Sequence, residues 1–383
     1  MSSKVLKIGT LPKYSTYDIV TAYVELTRLH RWPLGSNFAF WPRVYGLLMG
    51  SLGTCQQISF HRLCTETMLY VVIATILHCM VCIHNDICDR EVDGQVKRTK
   101  QRPLVSGRAS VGGAWTFFIT LALAALYVQT YISYKIIPLS AVNTMTLTAR
   151  YPFMKRYSWW PQLTLGLAGN WGLLTAWLAA TSFTAHMPPL YAMYAGLICW
   201  TIYFDTIYAC QDRIGDAKIG LKSTALLFGS RVKPILSAFA GAYIAFIVLA
   251  GVLNGNGAWF FASCGGAAVH LLWQQYNWNP DDPEDCAVKF KVLIYPMAIW
   301  ALSSGLVCSW IISREAAADP PSLLDNTPIV HKTNQLWHER FCLRASIKRR
   351  TRMTSHDICE LVHLQITSPR VEYATYSLRK IAL

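Results

Sequence analysis

Charge is scarce in this chain: only 15% of its 383 residues are Asp, Glu, Lys or Arg, against roughly 25% in a soluble domain. Its apolar stretches also lack the polar face that a soluble helix keeps toward water. A soluble all-helical bundle is thereby disfavoured. The 12 cysteines lack the spacing of a disulfide framework, and most sit inside apolar runs as buried thiols. The stretch HCMVCIH lies within such a run and has no second cysteine pair at zinc-finger spacing, so it does not read as a metal site. No apolar segment follows the first residues as in a cleavable signal peptide. Nor does the N-terminus resemble a long Arg- and Ser-rich mitochondrial presequence, which points to insertion at the endoplasmic reticulum or another endomembrane rather than the mitochondrial inner membrane.

What the chain has in abundance is long apolar runs of roughly 17–25 residues, the length a helix needs to cross a bilayer. They predict an all-α, polytopic membrane protein with about nine spans, near residues 38–58, 66–88, 113–133, 136–150, 162–181, 189–212, 233–254, 257–276 and 289–312. Residues 1–37 read as a cytosolic N-terminal segment and residues 38–312 as the membrane domain. Residues 313–383 read as a polar, basic, poorly ordered extension. The formal charge of +14 falls in loops beside apolar runs. Topology, anionic lipid and phosphate binding explain it there, and nucleic acid is not an expected partner. Loops after the second, fourth and sixth runs are basic and the intervening turns nearly uncharged, which places the basic loops and the N-terminus in the cytosol.

Two acidic clusters stand at the cytosolic ends of the second and sixth runs. In NDICDREVD, Asp86, Asp89 and Asp93 share one helical face, with Asn85 beside them. Three carboxylates so placed repel one another and are costly at the end of an apolar helix. Such a group persists when a hard cation holds it, and an all-oxygen set suits Mg2+. In QDRIGD, Asp212 and Asp216 are again one turn apart. Four helices separate the clusters, a faint internal repeat. Facing each other across a central cavity, they would grip a diphosphate through Mg2+, with Lys97, Arg98, Arg102, Lys218 and Lys222 meeting the outer oxygens. Asn170, inside the fifth run, either faces that cavity or bonds to a neighbouring helix. Gly166, Gly169 and Gly172 allow close helix approach.

At these residues the sequence resembles the UbiA superfamily of intramembrane prenyltransferases. NDICDREVDGQVKRTKQRPLVSG is similar to its first signature, DTIYACQDRIGDAKIGLKSTALLFG to its second, and ARYPFMKRYSWWPQLTLGLAGNWGLLTAW to the segment between them. The resemblance implies nine helices around a lipid-accessible cavity and Mg2+-dependent transfer of a prenyl chain to an aromatic ring. It assigns Asn85, Asp86, Asp89, Asp93, Asp212 and Asp216 to the metal, and gives Asp86, Asp89, Asp212 and Tyr208 the catalytic part. Lys155 and Arg156 match the basic pair after the Tyr-Pro; Arg156 would bind an acceptor carboxylate or serve only as a topology charge. Gln211 departs from the pattern, where a lysine is common.

Within the family the chain resembles 4-hydroxybenzoate polyprenyltransferases and the fungal enzymes that prenylate aromatic polyketides for meroterpenoids. The expected substrates are therefore a prenyl diphosphate, farnesyl diphosphate foremost, and a phenolic polyketide or hydroxybenzoate-type acceptor. Ubiquinone biosynthesis is the alternative within the family, and a secondary transporter with intramembrane acids the alternative outside it.

Overall fold

The computed structural model describes residues 14–53, 58–95, 99–182 and 187–294. Among these there are helices and no strands. The N-terminal helix α1 (Thr16–Leu26) opens with a capping box in which Ser15 and Asp18 satisfy each other's backbone N–H groups. α2 (Leu34–Gly53) is followed by α3 (Phe60–Asp93), capped by Ser59. A short α4 (Pro103–Ser106) precedes α5 (Val111–Thr130), capped by Ser110. α6 (Ile137–Asn143) runs through a π turn (Thr144–Thr148) into α7 (Ala149–Tyr157). The wide turn has a local cause, since Pro152 inside α7 offers no N–H to the carbonyl of Thr148. α8 (Pro161–Gly169) and α9 (Trp171–Ala180) meet at Asn170, and α10 (Pro188–Cys210) follows. Two short helices, α11 (Arg213–Lys218) and α12 (Thr224–Phe228), lead to α13 (Val232–Asn254), α14 (Ala258–Asn277) and α15 (Pro283–Ile294).

Among the described residues five stretches are long and apolar enough to cross a membrane: Phe60–Asp93, Val111–Thr130, Pro161–Ala180, Pro188–Cys210 and Thr224–Asn254. Helices also occupy the expected first, fourth and eighth positions, as α2, α6 with α7, and α14. The expected ninth span begins within α15, and its remainder lies outside the described residues, as does the 313–383 extension. Helix ends shift from the sequence expectation by up to several residues, α3 running Phe60–Asp93 rather than 66–88, and three further differences have a visible cause. The fourth helix continues past residue 150 to Tyr157, because the π turn absorbs the misfit around Pro152. The fifth is two helices rather than one. The N-terminal segment contains α1, whose Ala22 and Leu26 pack with Ile83, Leu104 and Ala114 over the C-terminal part of α3.

α10 is the core helix, with 67% of its most apolar stretch buried against 11% for α5, which faces outward. α10 packs on α13 and α8, and α2 on α9 and α3. Glycine decides the closeness of the α2–α9 contact. A Cβ added at Gly46 would stand 2.5 Å from the Leu173 carbonyl oxygen and 2.8 Å from the Trp177 nitrogen. At 34 residues α3 is about 50 Å long, well beyond the roughly 30 Å hydrocarbon thickness. Its last two turns therefore emerge at one membrane boundary, carrying the acidic cluster.

Candidate active site

The three aspartates of α3 are buried, Asp86 at 1%, Asp89 at 2% and Asp93 at 7% exposure, a state that demands charge partners. Four cations from three other segments supply them. Arg102, at the start of α4, donates from Nη1 to Asp86 Oδ1 (3.0 Å) and Asp93 Oδ2 (2.5 Å). Lys155, in the last turn of α7, donates from Nζ to Asp89 Oδ2. Arg156 next to it donates to the Cys88 carbonyl at 2.6 Å and lies 3.7 Å from Asp89 Oδ1. Arg28, just after α1, forks onto Asp86, Nη2 to Oδ1 at 2.6 Å and Nη1 to Oδ2 at 3.0 Å. Sequence reading did not single out Arg28; its sequence neighbourhood carries no motif, and only the docking of α1 brings it to the cluster.

The second cluster begins where α10 ends. The Asp216 nitrogen donates to the Asp212 carbonyl (2.8 Å), and the Leu221 nitrogen to that of Asp216 (3.0 Å). The next residue ties this segment to the first cluster. The Lys222 nitrogen donates to the Lys155 carbonyl at 2.7 Å, its Nζ to the Tyr157 carbonyl at 3.4 Å, and its ammonium lies 5.7 Å from the Trp159 ring centre. The loop following Asp216 thus sits on the turn of α7 that holds Lys155 against Asp89. Lys218 lies elsewhere, lining a cavity of about 620 Å³ with Arg213, Ile214, Ser230 and Asp281. Tyr208 is exposed, and its ring lies tilted by 45° against that of Phe290, with centres 4.6 Å apart. Asn170 is fully buried; its amide nitrogen donates to Gly166 O (2.8 Å), Leu197 O (3.2 Å) and Thr201 Oγ1 (2.9 Å). Its bonds to Leu197 and Thr201 join the α8–α9 junction to α10. Lys97 and Arg98 lie outside the described residues.

Asp205 is the carboxylate that sequence reading passed over. It lies inside α10, five residues before that helix ends at Cys210, with Gln162 of α8 close enough to act on its carboxylate. The Gln162 Oε1 in turn accepts from the Thr224 nitrogen at 3.1 Å. Tyr151 of α7 is buried within electrostatic reach of Asp205, Tyr208 and Asp89. The available signal was an acid inside an apolar run, which is functional by default.

The donor set fits a hard divalent cation. Asn85 Oδ1 and Asp89 Oδ1 are buried acceptors without a hydrogen bond, an expensive state, and their neighbours Asp86 and Asp93 add only oxygen. Among the described residues no three His, Cys, Asp or Glu side chains converge on an ion position as they stand, because basic side chains hold the carboxylates instead.

Comparison with known proteins places the chain in a family. Residues 39–302 match the model of the UbiA prenyltransferase family. The chain is 36% identical over 274 residues to the mitochondrial 4-hydroxybenzoate polyprenyltransferase of Drosophila pseudoobscura pseudoobscura, covering 72% of this chain and 67% of that one. It is 35% identical over 294 residues to UbiA prenyltransferase claS of Ampulloclitocybe clavipes, covering 73% of this chain and 88% of that one. The solved apo structure of a UbiA homolog from Aeropyrum pernix K1 shares the fold, with a TM-score of 0.56 at 21% identity over 73% of this chain and 98% of that one.

Proposed function

The chain belongs to the UbiA prenyltransferase family, and from that premise we propose that it transfers a prenyl group from its diphosphate to the ring of a phenolic acceptor. The observation that carries this reading is the meeting of Asp86, Asp89 and Asp93 with Arg102, Lys155 and Arg156 at one end of an apolar bundle. Such a site offers oxygen ligands for a divalent ion beside cations for phosphate. Family membership also removes the transporter alternative.

Asn85, Asp86, Asp89 and Asp93 would hold Mg2+ from the α3 side, with Asp212 and Asp216 from the α10 side. When bound, Mg2+ supplies positive charge that neutralises the departing diphosphate. Lys155, Arg156 and Arg102 exchange carboxylate for phosphate oxygens as the allylic C–O bond breaks. The prenyl carbon becomes cationic, and the diphosphate leaves with the bonding pair. Apolar surroundings keep water from that cation, and ring faces such as Tyr208 stabilise it. The acceptor ring carbon then forms the new C–C bond, and its proton passes to a carboxylate, for which Asp205 is the candidate. Asp205→Asn should therefore lower kcat by about 10²-fold or more while leaving the KM for prenyl diphosphate near its original value. Loss of diphosphate binding in that variant would assign Asp205 to the metal instead.

For the substrates, the reading is farnesyl diphosphate and a phenolic polyketide or hydroxybenzoate-type acceptor, as in fungal-type meroterpenoid biosynthesis. Likeness to the claS protein along most of that protein's length supports it. Isolated membranes offered a panel of prenyl diphosphates and phenolic acids, read by mass spectrometry, test it. Transfer is expected with Mg2+ and none after chelation. Transfer that persists without divalent ions defeats the mechanism, and exclusive use of 4-hydroxybenzoate with long chains moves the enzyme to quinone biosynthesis. The proposed compartment is an endomembrane, tested by imaging a tagged chain.

A further inference from the structure

We propose that Arg28 is a phosphate-positioning residue that holds Asp86 in the empty enzyme and passes to the diphosphate when substrate arrives. This rests on the reading of the site as a diphosphate site.

The placement of Arg28 is built into the fold. Its backbone is left-handed, with φ 58° and ψ 17°, a region where residues other than glycine are uncommon. That turn aims the side chain back beneath α1, where Nη1 also donates to the Glu25 and Leu26 carbonyls at 3.3 Å each. α1 is itself fixed over the site. Leu26 is fully buried, Glu25 pairs with Arg108 at 2.8 Å, and the Tyr14 hydroxyl donates to the Ser106 carbonyl at 3.1 Å. On the other side of Arg28, the Trp32 indole donates to Thr75 Oγ1 of α3 at 3.2 Å. The guanidinium is thus held from both directions along the chain, and its side chain is only 18% exposed.

The fork takes both oxygens of Asp86, and Arg102 shares one of them. A divalent ion seeking Asp86 competes with Arg28 for the same lone pairs and is repelled by its charge. A phosphate group changes the balance, because a guanidinium matches phosphate oxygens as well as it matches a carboxylate. Arg28 therefore opposes the ion in the empty site and favours the diphosphate in the filled one. Ion and diphosphate then bind cooperatively. A purely structural Arg28 would behave differently: its loss would weaken both.

The test uses the full chain in nanodiscs, comparing wild type, Arg28→Met and Arg28→Lys. Mn2+ binding is read by electron paramagnetic resonance, and inorganic pyrophosphate binding by calorimetry at saturating Mn2+. In Arg28→Met, Mn2+ alone should bind about threefold more tightly or better, and pyrophosphate about tenfold more weakly. Arg28→Lys, which keeps the charge but not the fork, should restore the Mn2+ affinity and only part of the pyrophosphate affinity. Unchanged or weaker Mn2+ binding in Arg28→Met, or pyrophosphate binding within about twofold of wild type, overturns the proposal. Neither arm needs turnover. If the variants show these binding shifts yet the wild-type protein transfers no prenyl group to any acceptor, the functional reading fails and the role of Arg28 stands.

Discussion

Asp89→Asn should leave a folded protein whose prenyl transfer is on the order of 10³-fold slower. The substitution keeps shape and volume but removes the charge that Lys155 and Arg156 converge on. It also leaves one oxygen where there were two, of which Oδ1 has no hydrogen bond, and the amide nitrogen that takes the other place is no ligand for a hard cation. Charge stabilisation by a metal contributes several kcal/mol to such a reaction, and losing about 4 kcal/mol is three decades in rate. Lys155 keeps its place in the fold, because its backbone carbonyl still accepts from the Lys222 nitrogen. The check is transfer of labelled prenyl diphosphate by variant and wild type in membranes, with thermal unfolding in detergent as the folding control. A variant that folds and keeps more than about a tenth of the wild-type rate would remove Asp89 from the chemistry.

Gly46→Leu should prevent the bundle from assembling. The new Cβ would overlap the backbone of α9, and the Ala176 Cβ at 2.9 Å closes the remaining side. Backbone cannot rotate away as a side chain can, so α2 and α9 must separate. Separation would expose Arg43, which is packed against Gly172 of α9 and donates to its own helix at the Ala39 carbonyl. Overpacking of this kind costs about 3 kcal/mol or more. Two glycines serve as controls. A Cβ at Gly112 of α5 or Gly265 of α14 meets nothing within 4 Å, and alanine there should raise stability slightly, by about 0.4–1 kcal/mol. Unfolding midpoints in detergent separate the three. A Gly46→Leu protein that unfolds within about 2 °C of wild type would show that the helices do not approach so closely.

The sequence reading succeeded where information is local. Apolar runs marked α3, α5, α10 and α13, and i, i+3, i+7 spacing put Asp86, Asp89 and Asp93 on one face. It was weaker where a signal was short or ambiguous. α1 has 11 residues, and its apolar face has meaning only once α3 and α4 supply a surface for it. The helix break at Asn170 falls in an apolar run that continues on both sides. The three glycines expected to permit close approach do so for different partners: Gly166 meets Ile198 and Thr201, Gly169 meets the Phe38 ring, and Gly172 makes room for Arg43. No spacing rule distinguishes these, because each partner comes from a distant segment.

Transfer from water to lipid is additive along the chain, and helical periodicity needs no neighbour. For that reason the sequence alone determined that this is a helical membrane protein with acids at one end of its long second span. Only the tertiary structure decided which cations neutralise those acids, since charges interact usefully over a few ångströms inside a protein and those distances are set by packing. Arg28 reaches Asp86 across 58 positions of sequence because α1 docks on α3, and Lys155 reaches Asp89 because α7 continues through a proline to the same depth.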